Sequence, residues 1–248
     1  MNEMKRIVVQ SSKMGNLVIK LISKQKAREL IIENHYSHKM GANHGLFNYG
    51  IFREGAESEN ECLGVAVYGY MMHPKAKHFT HPNPKAMMLE LNRMWISDEL
   101  GKNAETILIS RSLKLLKLDC PNCVAVQSFA DGRLGCGTIY KAANFRFFGS
   151  HKTAFYKNKR TGEINHHMNL TRMDSKSMYL RNNIAYLLGD LEAFEVDTYR
   201  YIFPLCKKFK YNKQEKAYPK YQKGATPIHI NRDKKQIKER IKKFLDEI

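Results

Sequence analysis

Residues 124–149, VAVQSFADGRLGCGTIYKAANFRFFG, set the fold. The opening Val124-Ala125-Val126 is apolar and β-branched and lies beside the turn residues Pro121-Asn122. It predicts a buried strand that ends at Ser128-Phe129-Ala130-Asp131. A glycine-spaced turn over 132–137 comes next, and Thr138 can cap a helix holding Ile139, Tyr140, Ala142 and Ala143. Asn144 predicts a left-handed helix end. Such a strand-loop-helix unit delivers the Asp131 carboxylate to the carboxyl end of a strand, where open α/β sheets place their ligands, and sets the Tyr140 phenol on the next helix.

Upstream, residues 17–22 (LVIKLI) read as a strand, and Ser23 caps a helix, KQKARELIIEN, whose Ala27, Leu30 and Ile31 share a face. That helix runs into His35-Tyr36-Ser37-His38, and Gly41 and Gly45 mark a loop. FNYGIFR and CLGVAVYGY predict a hairpin, in which Gly64 and Gly69 permit a bulge or a close backbone approach. Residues 71–85, with three prolines and three histidines, predict a long loop. MMLELNRMWI returns to strand, with Leu89 and Leu91 on one side and Glu90, Asn92 and Arg93 near the opposite rim. A turn over 98–103 leads into a helix over 104–118.

Downstream, residues 154–156 and 164–170 predict a hairpin around Arg160-Thr161-Gly162-Glu163. Ser175 or Ser177 opens a further helix ending near Gly189. From residue 199 the chain reads as an irregular tail until the amphipathic run 234–248. The expected organisation is an α/β domain over 1–198, a mixed central sheet flanked by helices, with a basic C-terminal extension over 199–248.

An apolar content of 43% excludes general disorder. The sequence shows no run as long as a membrane span and no signal-peptide core, so a cytoplasmic protein with no membrane partner is expected. Five cysteines, an odd number in a 248-residue chain, argue for reduced thiols. Cys120-Pro-Asn-Cys123 has no second pair to complete a zinc site. His166-His167 on a strand point to opposite faces and cannot chelate together. Forty-two Lys and Arg face 24 Asp and Glu, a formal charge of +18. Residues 200–248 hold 15 of the cations and 5 of the anions, a net +10. A basic segment threaded with Tyr201, Phe209, Tyr211, Tyr218 and Tyr221 suits a polyphosphate partner.

The order of elements resembles the GNAT acetyltransferase superfamily, and Tyr140-Lys141-Ala142-Ala143-Asn144-Phe145 resembles its Tyr-x-x-x-Gly-Phe segment. There the tyrosine serves as general acid toward the departing thiolate of coenzyme A. Several pieces together resemble the Mom family of phage proteins, which modify adenine in DNA and block restriction enzymes. They are His35-Tyr36, Glu90-Leu91-Asn92-Arg93, Asn103-Ala104-Glu105 before Ser110, Ser128-Phe129-Ala130-Asp131 with Gly137-Thr138-Ile139-Tyr140, Arg200-Tyr201 and Tyr218-Pro219-Lys220. The resemblance spans residues 17–221. It implies a GNAT-like fold, location in the host cytoplasm, and addition of a carbamoylmethyl (acetamido) group to the exocyclic amine of adenine. It also implies a donor step using either an acyl-CoA such as acetyl-CoA, or iron. In place of a glycine-rich pyrophosphate loop, the chain has SDELGKNAETILIS, with a single glycine.

An adenine amine is a poor nucleophile, because its lone pair is delocalised into the ring, so a carboxylate positioned to accept its proton helps the attack. Asp131 is the expected base, with a helix cap or a salt bridge to Arg93 or Arg133 as its ordinary alternative. Tyr140 protonates the leaving group or orients the donor, and His35 and Tyr36 line the pocket. Arg93, Glu90, Ser110, Ser128 and Asn144 are the expected substrate or donor contacts. Double-stranded DNA with a flipped adenine is the expected partner, its backbone held by Lys152, Lys157, Arg160, Lys207, Lys208 and Lys210. His35, His38 and Asp131 could supply a 2-His-1-carboxylate iron site, though capping and surface histidines are commoner. Two other functions fit the same residues: an N-acetyltransferase acting on a protein or small amine, and a non-catalytic DNA-binding protein.

Overall fold

A computed structural model describes residues 5–11, 15–72, 78–166, 179–180, 183–184, 186–187, 191–230 and 233–247. The chain divides into two units. The first comprises residues 1–129, 138–149 and 200–218; the second comprises 130–137, 150–199 and 219–248.

In the first unit, β1 (Arg6–Ser11) and β2 (Gly15–Leu21) form a hairpin and lead into α1 (Lys24–Asn34). Ser23 caps that helix as its sequence demands, its hydroxyl accepting from the Lys26 N–H. Next come β3 (Phe47–Arg53), β4 (Gly64–Tyr70), the two-residue β5 (Phe79–Thr80) and β6 (Met87–Ile96). After them run α2 (Ala104–Asp119), β7 (Cys123–Asp131), which continues into the second unit at Ala130, and α3 (Thr138–Ala142). The strands β1-β2-β3-β4-β6 are antiparallel neighbours in that order, and β7 joins β6 in parallel. α1 buries Ala27, Leu30 and Ile31 against Phe52, Val65 and Val67 on one face. α2 covers the other, where the Tyr68 hydroxyl meets Ser112 Oγ at 2.7 Å and the Tyr49 hydroxyl donates to Asp119 at 2.9 Å.

An irregularity in β6 decides which of its side chains share a face. Val67 opposes Arg93 and Tyr68 opposes Leu91, so Asn92 is an extra residue, a β-bulge. In a straight strand Glu90 and Arg93 would point to opposite faces. The bulge flips the phase, so Arg93 shares the α1 face with Glu90, whose partner across the ladder is Gly69. Gly69 allows the close approach its position suggested: a Cβ there would lie 2.4 Å from both the Asn43 carbonyl and Asn92 Oδ1.

β8 (Arg146–Asn158) and β10 (Leu191–Pro204) each run from one unit into the other; the second unit adds β9 (Ile164–His166), β12 (Ile228–His229) and a C-terminal helix, Lys234–Asp246. The short β11 (Lys210–Tyr211) pairs with β5 in the first. The expected boundary at 198/199 therefore falls inside a 14-residue strand. Tyr199, Tyr201 and Ile202 are buried there, so residues read as the start of a tail are sheet core. The helix expected from Ser175 or Ser177, and His73 and His167, lie wholly or largely outside the described residues.

Candidate functional site

The parallel pairing of β6 with β7 ends at Glu90 and Gln127. Past that point a side chain links the strands, Ser128 Oγ donating to the Leu91 carbonyl at 3.2 Å. Polar groups from several elements meet at this parting. Gln127 Nε2 donates to one Glu90 oxygen at 2.8 Å and Asn92 Nδ2 to the other at 3.1 Å. Burial raises the Glu90 carboxyl above its ordinary range, against the downward pull of Gln127, Asn92, Arg93 and Arg200. Asn92 Oδ1 is buried with no hydrogen-bond partner among the described residues.

Arg93 is anchored on backbone, its Nε to the Lys39 carbonyl at 2.9 Å and its Nη1 to the Asn92 carbonyl at 2.6 Å. Burial lowers its pKa, and Tyr36, Glu90 and Tyr140 oppose that. His35 sits at the end of α1 with its ring 4.2 Å from that of the exposed Tyr36. Its Nδ1 accepts the Ser37 N–H at 3.1 Å, which leaves the proton of the neutral ring on Nε2. His44 is fixed the same way by the Gly41 N–H at 3.1 Å. Burial first, then Arg93, pushes both imidazoles down to about 4, so both are neutral near pH 7. The cluster thus sets a basic carboxylate beside a guanidinium and two neutral N–H donors. His44 carried no motif; only its loop position next to His35 and His38 hinted at it.

Tyr140 reaches the same parting from α3. Burial pushes the phenol up to about 12 against the downward pull of its hydrogen bond to Ser128, with Tyr36 and Glu90 adding to the rise. Its ring lies 5.3 Å from that of Tyr201 and 5.5 Å from that of Phe145. Glu90, Arg93, Ser128, Tyr140, His35 and Tyr36 all lie in the first unit.

Other expected residues are placed differently. Asp131 lies in the second unit, where Arg133 Nε reaches both its oxygens at 3.0 Å, Arg133 Nη2 bonds one of them and the Arg133 N–H donates at 3.0 Å. The Arg133 guanidinium also lies over the Phe155 and Phe194 rings. With its lone pairs committed to one guanidinium, Asp131 is poorly disposed to act as a base; its salt-bridge alternative is what the structure shows. Ser110 Oγ bonds the Ile107 carbonyl of its own helix at 3.0 Å, and Asn144, at φ 62, forms the left-handed end of α3. His38 Nδ1 is tied to the Ile32 carbonyl at 2.8 Å. Among the described residues no three His, Cys, Asp or Glu side chains are grouped to hold a metal; of the expected iron ligands, His35 and His38 lie in the first unit and Asp131 in the second. Lys152, Lys157 and Arg160 are exposed in the second unit, with Lys152 paired to Asp197 at 3.0 Å; Lys207, Lys208 and Lys210 are exposed in the first. Among the described residues no helix is long and apolar enough to cross a membrane.

The turn before α2 bears on coenzyme A. It is a short 3-10 turn, Asp98–Leu100, followed by Gly101 at φ 65 and Asn103 at φ 71. Asp98 and Glu99 lie in that turn, Glu99 accepting from Ser97 Oγ at 3.2 Å and paired with Arg53 at 3.5 Å, and Glu105 puts a carboxylate in the first turn of α2, where an incoming pyrophosphate would meet like charge. These residues do not fit a pyrophosphate cradle.

A model of the Mom protein family matches residues 16–220. The chain belongs to the Mom family. It is 34% identical over 197 residues, covering 77% of each protein, to the methylcarbamoylase mom of Escherichia phage Mu. The family match takes in the whole cluster around Glu90 and stops before the C-terminal helix. Solved structures with partial likeness are acetyltransferases. Arabidopsis thaliana NAA60 with acetyl-CoA has a TM-score of 0.47 at 10% identity, covering 76% of this chain and 99% of that one. The ribosomal-protein-S5-alanine acetyltransferase of Vibrio fischeri has a TM-score of 0.43 at 9% identity, covering 82% and 98%. Likeness at this level leaves chemistry and cofactor open.

Proposed function

We propose that this Mom-family protein is a DNA-modifying transferase that places a carbamoylmethyl group on the exocyclic amine of adenine, with Glu90 as the base. The observation that carries this reading is the desolvated Glu90 carboxylate, held by two side-chain amides where β6 and β7 part and facing Arg93. A carboxylate whose affinity for a proton is raised by burial suits a weakly acidic amine better than an ordinary surface carboxylate. The amine nitrogen forms a bond to the methylene carbon of an activated carbamoylmethyl donor while the bond from that carbon to the leaving group breaks. The amine proton passes to Glu90, and the leaving group departs with the electron pair.

Tyr140, protonated at neutral pH, donates a proton or a hydrogen bond to that leaving group. Arg93 and the Nε2–H groups of His35 and His44 offer donors to the carbonyl of the donor amide and to ring nitrogens of the base. Tyr36, exposed beside His35, offers a ring on which a flipped adenine stacks. Nucleosides digested from the DNA of cells producing the protein, separated and weighed by mass spectrometry, are expected to include deoxyadenosine carrying one carbamoylmethyl group in place of an amine hydrogen. DNA with unmodified deoxyadenosine, from cells in which the protein is folded and abundant, overturns the assignment and favours a protein that only binds DNA.

A further inference from the structure

The face of the sheet that carries Glu90 extends beyond the cluster. Two residues before Glu90 is Met88, and two before Gln127 is Ala125; both pack with Ile202 of β10, and Phe79, Phe148, Phe209 and Tyr211 close over that group. Arg200, two residues before Ile202, lies over the Phe129 ring and donates to the Tyr211 hydroxyl at 3.0 Å. Strand alternation thus leads along one face from Glu90 to a patch of rings.

Two open depressions of about 230 and 290 Å³ adjoin there, sharing Arg146, Pro204 and Phe209 as walls. Their cations are Lys117, Arg146, Lys207, Lys210 and Lys213; the one carboxylate among the described lining residues, Glu215, is paired with Arg146 at 3.7 Å. Phe148, Phe209 and Tyr211, each half-buried, line the floor. Every one of these residues belongs to the first unit.

We propose that this furrow holds an unpaired DNA strand next to the adenine being modified, with phosphates on the lysine rim and a base stacked on Phe209 or Tyr211. The inference rests on the adenine-modifying reading and gives it a substrate path. A duplex offers phosphates but no free ring faces, whereas an unpaired strand offers both, and the furrow supplies cations and rings together. A compact phosphorylated metabolite would call for an enclosed site with convergent donors; an open furrow with cations spread along two depressions matches a chain of charges.

The test is fluorescence anisotropy of the full-length protein with a labelled single-stranded oligonucleotide and with a duplex of equal length, across a salt series. Wild type is expected to prefer the single strand. Lys207→Ala with Lys210→Ala is expected to weaken that binding about tenfold and to flatten the salt slope by about 1.4, the effect of two lost phosphate contacts on a single strand. Phe209→Leu, which keeps an apolar side chain in place, is expected to weaken binding by a similar factor with an unchanged slope. Circular dichroism confirms that the variants fold. Single-strand binding unchanged in folded variants overturns the furrow, as does a wild type that prefers duplex. Strand binding that depends on these residues, in a protein that leaves cellular adenine unmodified, keeps the furrow and discards the transferase reading.

Discussion

Glu90 in the first unit and Asp131 in the second are both carboxylates near points where strands end or part, yet they keep opposite company. Glu90 is desolvated and receives two neutral amide donors, with Arg93 acting on it through space and bonded elsewhere. Asp131 is gripped by a guanidinium through both oxygens and by a backbone N–H. Burial raises the Glu90 carboxyl despite its two amide donors, whereas a bidentate arginine engages the lone pairs of Asp131. The chemistry of a carboxyl group is set by its partners more than by its position on a strand.

Substitution at Glu90 has the largest expected effect on that contrast. Glu90→Gln keeps the shape and removes the base, and should lower the modified fraction of adenine by about 10²–10⁴-fold at unchanged protein level, as nucleoside mass spectrometry reads it. Asp131→Asn should act on stability instead. It leaves the half-buried Arg133 with a weaker partner, at a cost of up to about 3 kcal/mol in urea unfolding, while folded protein still modifies adenine within a few-fold of wild type. A modified fraction that falls with Asp131→Asn and survives Glu90→Gln would reverse the two roles.

A smaller effect is expected at Gly69, where an added Cβ would lie 2.4 Å from the Asn43 carbonyl and Asn92 Oδ1. Gly69→Ala should cost about 1–3 kcal/mol and, by displacing Asn92 from Glu90, lower modification more than its loss of folded protein explains. Activity falling only in step with folded protein would show that Asn92 does not support the base.

The smallest effect is on acid stability. His35 and His44 have folded pKa values of about 4, below the ordinary 6.5, so on acidification the unfolded chain takes up protons first. Their contribution is complete above about pH 6.5 and is lost progressively down to about pH 4. Glu90 works in the opposite sense: its raised pKa makes the folded state the better proton acceptor, so its contribution is lost as pH rises through the folded pKa. His44→Gln should flatten the fall in Tm between pH 6.5 and 4. An unchanged slope would mean that His44 titrates as it does in the unfolded chain.

Local signals in the sequence were enough for much of the fold. Ser23 before an amphipathic run gives α1, β-branched Val124 and Val126 give β7, and Asn144 closes α3 as an asparagine in the left-handed region should. β10 was hidden because Glu192, Glu195, Asp197 and Arg200 punctuate its apolar residues, and the high charge of the region after it suggests a tail. Glu90 and Arg93 could be picked out as candidate contacts, but their shared face could not, since it depends on an extra residue at Asn92 that leaves no local mark. The fate of Asp131 depended on Arg133, two residues away, where a sequence offers a cap, a base and an ion pair on equal footing.

The ionisation of Glu90 itself tests the central claim most directly, followed by carboxyl-carbon NMR of protein labelled at glutamate as pH is varied. A glutamate signal that titrates above the ordinary 4.5 is expected, absent from Glu90→Gln and retained in folded Asp131→Asn. A spectrum in which every glutamate titrates at or below the ordinary value, with none lost from the high end in Glu90→Gln, would contradict it.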